Sequence, residues 1–543
     1  MNHDKDIGNA IKQTRILIGP PAGEQFQDAR GLGRIIYEKL KDNGNNIMQI
    51  DGITQEEDKF NNFLMRCTRT ALHMRKEGFK PQDKITICTF NTLNSAVPLI
   101  ASFFTGVIAS AIDPTFSVDD CKYFLQMLKP KAIFVGSDSV DLIVKSLKES
   151  NLESKIIVFG PSNDYESLDN YLAPIDGEES FEPHDATNWK DTAMILFSSG
   201  TTGKPKGICL NHSYFVNFAQ TTFFSERDRV LFFSSLYWVT QVGLTIANIF
   251  LGFIKVVYPR YDGPANFCKV AENCKLLTVF LPTPYLVDVT EYCRNQDITL
   301  HVKDIIVAGT PVTKKHLRLA AETFPNAKLL NCYGQTEVGA IAVYPRHENY
   351  VKSMEEKMFK VSCGKAARGT LLKITDLVTG ETLGPYQEGE ICVGGAYRMN
   401  GYYNLISPDT YDLEGFIRTG DIGYYDEDEY IYITDRCKEM LKYKSFPVSP
   451  SSIEDVLSRH PAVKHGVVIG VPHEVDGDHP IALVVLKDGV EIDPAEIKKF
   501  VDDKVDDRKR LRGGVKIIKD MPLSPTGKPD RRLLKNMVLN GGL

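Results

Sequence analysis

A chain of 543 residues, 43% of them apolar, can bury several sizeable cores and falls in the range of three or four domains. Its 64 basic and 70 acidic side chains leave a net charge of −6, a balance that offers no case for a nucleic-acid-binding surface. The eleven cysteines show no close metal-ligand spacing and read as reduced thiols of a cytosol-like compartment.

Taken in order, the first fifty residues are polar and mixed, with a short amphipathic helix over Gly31–Leu40. Met1–Lys5 has no apolar core behind it and does not read as a signal peptide. Glu56–Glu77 spaces Phe60, Phe63, Leu64, Cys67, Ala71 and Leu72 as a helix. Strands are predicted at Lys84–Cys88, Ala132–Val135 and Lys155–Phe159. The uncharged run Ser95–Ile112 is long enough to raise a membrane question. Its Pro98, Gly106 and hydroxyl residues, and the Asp113-Pro114 flank, favour a buried helix of an α/β core. Alternation of this kind predicts a parallel sheet covered by helices. After the polar connection Pro161–Lys190 the theme repeats, with strands at Ala193–Phe197, Val230–Ser234, Lys255–Tyr258, Leu276–Phe280, Asp304–Ala308 and Lys328–Leu330. Beyond residue 360 the strands shorten and glycine and proline become frequent, as in Leu371–Ile374 and Gly389–Val393, predicting a small antiparallel or barrel-like subdomain. Residues 436–543 are rich in charge and read as a compact α+β tail. The last four residues, Asn540–Leu543, are not a Ser-Lys-Leu peroxisomal address, so a cytoplasmic location is expected.

One stretch organises the chain. Ser198-Ser199-Gly200-Thr201-Thr202-Gly203-Lys204-Pro205-Lys206-Gly207 comes directly after the strand Ala193–Phe197. Glycines let backbone N–H groups converge on an anion, and hydroxyls and lysines add donors and charge, which is what a polyphosphate requires. Taken alone, such a stretch also reads as a flexible surface turn. It is not the P-loop, because Gly203-Lys204 is succeeded by Pro205.

Four further segments carry candidate chemistry. Asn331-Cys332-Tyr333-Gly334-Gln335-Thr336-Glu337 comes after a strand, where ligands sit in open α/β sheets, although taken alone it reads first as an ordinary strand-to-helix turn with a capping Thr. Asp421, after Thr419-Gly420 at a strand end, offers a carboxylate to a ribose diol or serves as a turn aspartate. Thr434–Lys444 falls where the texture switches to the tail. Its Asp435-Arg436 pair reads as a hinge, and Lys438, Lys442 and Lys444 as ligand contacts or a solvated basic face. Pro525-Thr526-Gly527 is a turn that presents Lys528 at a loop tip.

In this order, these segments resemble the signature motifs of adenylate-forming enzymes, the group of acyl-CoA synthetases, 4-coumarate–CoA ligases and beetle luciferases. The resemblance implies an α/β fold. A large N-terminal domain, 1–434, would hold α/β subdomains over about 1–190 and 191–345 and a barrel-like subdomain over 346–434. A mobile C-terminal domain would occupy 435–543. It implies ATP held by Ser198, Ser199, Gly200, Thr201, Thr202, Lys206, Asn331, Cys332 and Tyr333. Thr336 would contact the phosphate, Glu337 would bind Mg²⁺, and Asp421 would take the ribose with support from Arg436. Lys528 would act on the substrate carboxylate and α-phosphate, Lys442 on the acyl-adenylate, and Lys438, Lys444, Ser445 and Arg260 would serve nucleotide or CoA. Relatives carry glycine where this chain has Ser445, beside the path of the pantetheine. The implied acyl pocket is formed by Tyr237, Trp238, Thr240, Ala308, Gly309, Gly339 and Ala340, mostly small or apolar, which suits a fatty or aryl acid. Trp238 stands where luciferases carry a histidine; its indole has only an N–H donor and cannot act as a base. The expected partners are the carboxylic acid, ATP and CoA, with no nucleic acid, no membrane span, and a monomer or weak dimer.

Overall fold

Valine- and isoleucine-rich runs form the two largest sheets, because a strand buried on both faces reads as a near-continuous apolar stretch. A computed structural model describes residues 15–21, 30–198, 205–221, 224–226, 228–344, 352–395, 397–444, 446–523 and 529–541. The chain divides into two compact units, one of 17–372 with 393–417, the other of 1–16, 373–392 and 418–543.

In the larger unit, an eight-stranded sheet runs in the order Gly401–Tyr402, Gly207–Asn211, Thr192–Phe197, Ile108–Ala111, Lys84–Cys88, Ala132–Gly136, Lys155–Phe159, Glu166–Ser167. From Thr192–Phe197 onward its neighbours are parallel. Gly207–Asn211 returns antiparallel to Thr192–Phe197. A seven-stranded sheet runs Lys328–Asn331, Asp304–Val307, Thr278–Phe280, Arg229–Phe232, Ile254–Val257, Ile47–Asp51, Glu57–Lys59, parallel except for the last strand. Helices cover both sheets. Phe60–Lys76 buries Phe60, Phe63, Cys67 and Ala71 of the predicted stripe together with Met74, while Leu64 and Leu72 are only partly buried and Glu57–Lys59, expected in the helix, is a strand.

The run Ser95–Ile112 is not one helix. The helix spans Val97–Thr105 and is wholly buried; Gly106 then takes the left-handed conformation at φ 73, and Ile108–Ala111 is a strand inside the parallel sheet. Gly106 is required twice over, since a Cβ there would also lie 2.4 Å from the His184 ring. Uniform apolarity disguised the break, because a buried helix and a buried strand carry the same composition.

In the smaller unit, Val463–His473 pairs antiparallel with Gly477–Leu486, and Gly514–Ile517 joins in parallel. Alternate residues feed two cores. Val468, Ala482 and Val484 pack with Ile453, Leu457, Ile497 and Val501; Val467, Ile469, Ile481 and Leu483 pack with Ile518 and Leu534. That is the period of two expected of a sheet covered on both faces. Strands Ile417–Tyr425 and Ile431–Arg436 pair antiparallel in the short-stranded region. All eleven cysteines are free thiols.

Candidate active site

Parallel strands end together, so the residues just past each strand share one edge of the sheet. At the carboxyl edge of the seven-stranded sheet stand Phe233–Trp238, Tyr258–Arg260, Ala308–Gly309 and Cys332–Tyr333. At that of the eight-stranded sheet stand Asn91, Asp113 and Ser198. Two buried contacts join these edges. The Asn91 amide donates to the carbonyls of Ser234 (3.1 Å) and Tyr258 (3.3 Å), and the Ser235 hydroxyl donates to Asp113 Oδ2 at 2.5 Å. Neither Asn91 nor Asp113 was legible as a site residue, since each belongs to an unremarkable polar turn.

The organising stretch is the connection of an antiparallel hairpin. The Ser198 N–H donates to the Lys206 carbonyl at 2.9 Å, and the Lys206 N–H donates to Ser198 Oγ at 3.0 Å. The Tyr123 hydroxyl holds the Pro205 carbonyl at 2.9 Å. Ser199, Gly200, Thr201 and Thr202 lie outside the described residues, as do Ser445 and Lys528.

Tyr333–Gln335 and Gly339–Val343 form a second hairpin, with Thr336 and Glu337 half-buried at its tip, so the chain turns back into a strand here rather than into a helix. Gly339 has φ 74, which closes the turn. The Glu337 carboxylate is held by a residue that sequence reasoning missed. The Tyr402 phenol donates to Glu337 Oε1 at 3.1 Å, and the Lys206 ammonium lies 4.4 Å above the Tyr402 ring. Tyr402 pairs with Ile208 on the strand that leaves the loop. One phenol therefore links the loop lysine to the acid-tipped hairpin. Burial first, and then the Glu337 carboxylate, push the Tyr402 hydroxyl up, so it stays protonated and remains a donor.

The other expected residues of the larger unit are held by ordinary packing and backbone contacts. The Asn331 amide is committed to the Ser362 carbonyl at 3.2 Å, and the Cys332 N–H donates to the Val307 carbonyl at 2.8 Å. Tyr237 is buried against Phe116, edge-on at 4.8 Å, and Trp238 packs on the same cluster. Thr240 lies in the first turn of the helix Val239–Leu251. Gly309 has φ 82 with open space beside it, and Ala340 pairs with Gly334. Arg260 lies 4.9 Å over the Phe90 ring.

In the smaller unit Asp421 stands within the strand Ile417–Tyr425 rather than at its end. It sits directly opposite Arg436 and forms an ion pair with it at 2.9 Å, with the Asp421 side chain 5% exposed. Asp435 Oδ1 accepts from the Arg436 N–H at 2.7 Å, and Oδ2 from Ser449 Oγ and the Ser451 N–H. Lys438 is in the turn after that strand, Lys442 is on the strand Leu441–Tyr443, and Lys444 is left-handed at φ 49 with its side chain exposed.

The Lys206–Tyr402–Glu337 contact joins the strand that leaves the serine-, glycine- and threonine-rich stretch to an acid-tipped hairpin at the carboxyl edge of a parallel sheet, the arrangement of a phosphate-handling α/β enzyme. The chain belongs to the AMP-binding enzyme family: that family matches residues 49–403, and the AMP-binding enzyme C-terminal domain matches 452–528. It is 28% identical over 559 residues to luciferin 4-monooxygenase of Photuris pensylvanica, covering 97% of this chain and 98% of that one. It is 28% identical over 534 residues to the probable 4-coumarate–CoA ligase 3 of Dictyostelium discoideum, covering 93% and 95%. Among solved structures, the luciferase-like enzyme of the nonluminescent mealworm Zophobas morio matches with a TM-score of 0.73 at 32% identity, covering 78% of this chain and all of that one. ATP-bound MatB of Rhodopseudomonas palustris shares the fold, with a TM-score of 0.80 at 21% identity over 93% and 98% of the two chains. The chain is thus an adenylate-forming enzyme close to the 4-coumarate–CoA ligases and luciferases, as the motifs implied. No helix among the described residues is long and apolar enough to cross a membrane.

Proposed function

We propose that this enzyme activates an apolar carboxylic acid, fatty or aryl, with ATP and passes the acyl group to CoA. A carboxylate is a poor electrophile because it is anionic. Its attack on the α-phosphorus of ATP expels pyrophosphate and leaves an acyl-adenylate, and the CoA thiolate then displaces AMP to form a thioester. The observation that carries the reading is the Lys206–Tyr402–Glu337 contact, which gathers a cation, a phenol and a carboxylate beside the hydroxyl loop. Catalysis in such a site is mainly electrostatic and positional.

Glu337 fits the role of Mg²⁺ ligand: a single half-buried carboxylate suits a hard cation that keeps waters and takes its remaining oxygens from phosphate. Bound there, Mg²⁺ would offset charge on the phosphates. Thr336 is assigned to the phosphate, Asp421 and Arg436 to the ribose, Lys528 to the α-phosphate and attacking carboxylate, Lys442 to the adenylate, and Lys444 to CoA. The backbone at Asp435–Arg436 is the proposed pivot between half-reactions, with the domain boundary at 434/435.

A luciferase-like oxygenation would share the first half-reaction, but Trp238 offers no base beside the acyl carbonyl. Ser445 keeps an acceptor other than CoA as the second reading. ATP–pyrophosphate exchange across a panel of fatty and aryl acids, with and without CoA, tests the proposal; no exchange with any acid would reject it. Lys528→Ala should slow exchange by roughly 10²–10³ while thioester formation from preformed adenylate survives. Equal loss in both halves would remove Lys528 from the adenylation step.

A further inference from the structure

The strands Val463–His473 and Gly477–Leu486 meet in a tight turn, with His473 paired to Gly477. The turn and the first residues of the returning strand bring three side chains together at i, i+3 and i+6. Asp476 Oδ2 lies 2.8 Å from His479 Nε2 and 3.7 Å from His473 Nδ1. The two imidazoles stack with centroids 3.9 Å apart and planes 14° apart, so both nitrogen edges face the same carboxylate oxygen. One ligand atom from each residue lies within 4.8 Å of the other two.

We propose that His473, Asp476 and His479 form a three-ligand site for a divalent cation of the zinc class, with water completing the shell. Imidazole nitrogen and carboxylate oxygen are the donors zinc takes, and three protein ligands plus water is a coordination it adopts. Metal–ligand bonds of about 2.1 Å set tetrahedral ligand atoms about 3.4 Å apart. The separations to Asp476 fall on either side of that value, and binding also needs the two stacked rings to rotate apart so that their in-plane lone pairs converge on one ion. The His473 tautomer is already suitable. Its Nδ1 accepts the N–H groups of Asp476 (3.2 Å) and Val475 (3.4 Å), so it carries a lone pair and no proton. Both bonds are long, and a cation on Nδ1 replaces them. His479 Nε2 gives up its hydrogen bond to Asp476 for a bond to the ion.

The surroundings keep the carboxylate in place. The Lys444 N–H donates to the Asp476 carbonyl at 2.7 Å, and Lys444 Nζ lies 3.7 Å from Asp476 Oδ1, the oxygen left over when Oδ2 takes the ion. Asp476 and His479 are sheltered, with side chains 18% and 19% exposed, while His473 at 43% leaves a path for an ion to enter. The site uses none of the residues assigned to ATP, and no nucleotide is needed to test it.

The test is titration of the full-length protein with CoCl₂ and, separately, ZnCl₂, monitored by visible absorption and calorimetry. The expected result is one saturable equivalent, with cobalt d–d bands and no thiolate-to-cobalt charge-transfer band. His473→Ala and Asp476→Asn should each weaken binding by at least about tenfold, and the His473→Ala/His479→Ala double variant should abolish it. Circular dichroism checks that each variant is folded; Asp476→Asn keeps the backbone bond to Lys444 and serves if the alanine variants fail. A thiolate band, an equivalent that persists in the folded double variant, or no saturable binding would each overturn the site.

Discussion

Lys255 permits a prediction worked from burial alone. It lies on the strand Ile254–Val257, between Arg229–Phe232 and Ile47–Asp51, and is 2% exposed. Its ammonium donates to Thr245 Oγ1 at 3.2 Å and sits 5.4 Å over the Phe232 ring. Removal from water pushes its pKa down from 10.5 to about 7. At 1.36 kcal/mol per pKa unit, that depression is a cost to the folded state of about 5 kcal/mol. Below pH 7 both states carry the proton and the cost is fully present. Between pH 7 and 10.5 the unfolded chain holds a proton that the folded protein has released, so stability rises with pH by about 1.4 kcal/mol per unit. Lys255→Met keeps the stem and removes the charge. At pH 7 it should stabilise the protein by about 1–4 kcal/mol, the range seen when buried charges are replaced by apolar side chains. Urea unfolding of both proteins from pH 6 to 9.5 is the assay, and the difference between them is the readout, because thiols that burial pushes up in the folded protein begin to titrate in this range once unfolding exposes them. A difference that does not shrink as pH rises would refute desolvation as the cause.

Three further outcomes are expected. Tyr402→Phe removes the hydrogen bond to Glu337 but keeps the ring under Lys206; it should raise the divalent-ion concentration needed for half-maximal pyrophosphate exchange about tenfold and weaken Mn²⁺–ATP binding measured by electron paramagnetic resonance. An unchanged ion requirement would reduce Tyr402 to packing. Asp435→Pro fixes φ at the proposed pivot and should impair thioester formation much more than adenylation; Asp435→Ala, which loses the bonds to Ser449 and Ser451 without fixing φ, should spare the ratio of the two. His212 accepts the Leu32 N–H at 3.3 Å, and burial pushes its pKa down from 6.5 to about 4. The unfolded chain therefore gains a proton first as pH falls through this window, costing up to about 3 kcal/mol, and His212→Gln should flatten that part of the acid-stability curve.

Most of the central strands of both parallel sheets were legible because burial on two faces leaves an apolar run, and Lys255 did not hide its strand since Val256 and Val257 stand next to it; Ile47–Asp51 and Gly207–Asn211 were not read as strands. The run Ser95–Ile112 misled for the same reason, with only Gly106 marking the switch. The loop Ser198–Gly207 and the Thr336-Glu337 pair stood out because their side-chain types suggest phosphate and cation chemistry by themselves. Tyr402, Asn91 and Asp113 did not, because their roles lie in what they touch, and those partners are from 65 to 167 positions away in the chain. His473, Asp476 and His479 were equally silent until pairing of the two strands placed them side by side.

The reciprocal bonds between Ser198 and Lys206 clasp the two ends of the phosphate-type stretch against each other. Beyond the clasp, Ile208 and Leu210 enter the core in register with Leu196 and Met194. A one-step slide of the outgoing strand would turn both side chains to the opposite face, so the clasp and the core hold one register together. The clasp therefore fixes where the returning strand begins and leaves the side chains between its two ends for the proposed ATP contacts.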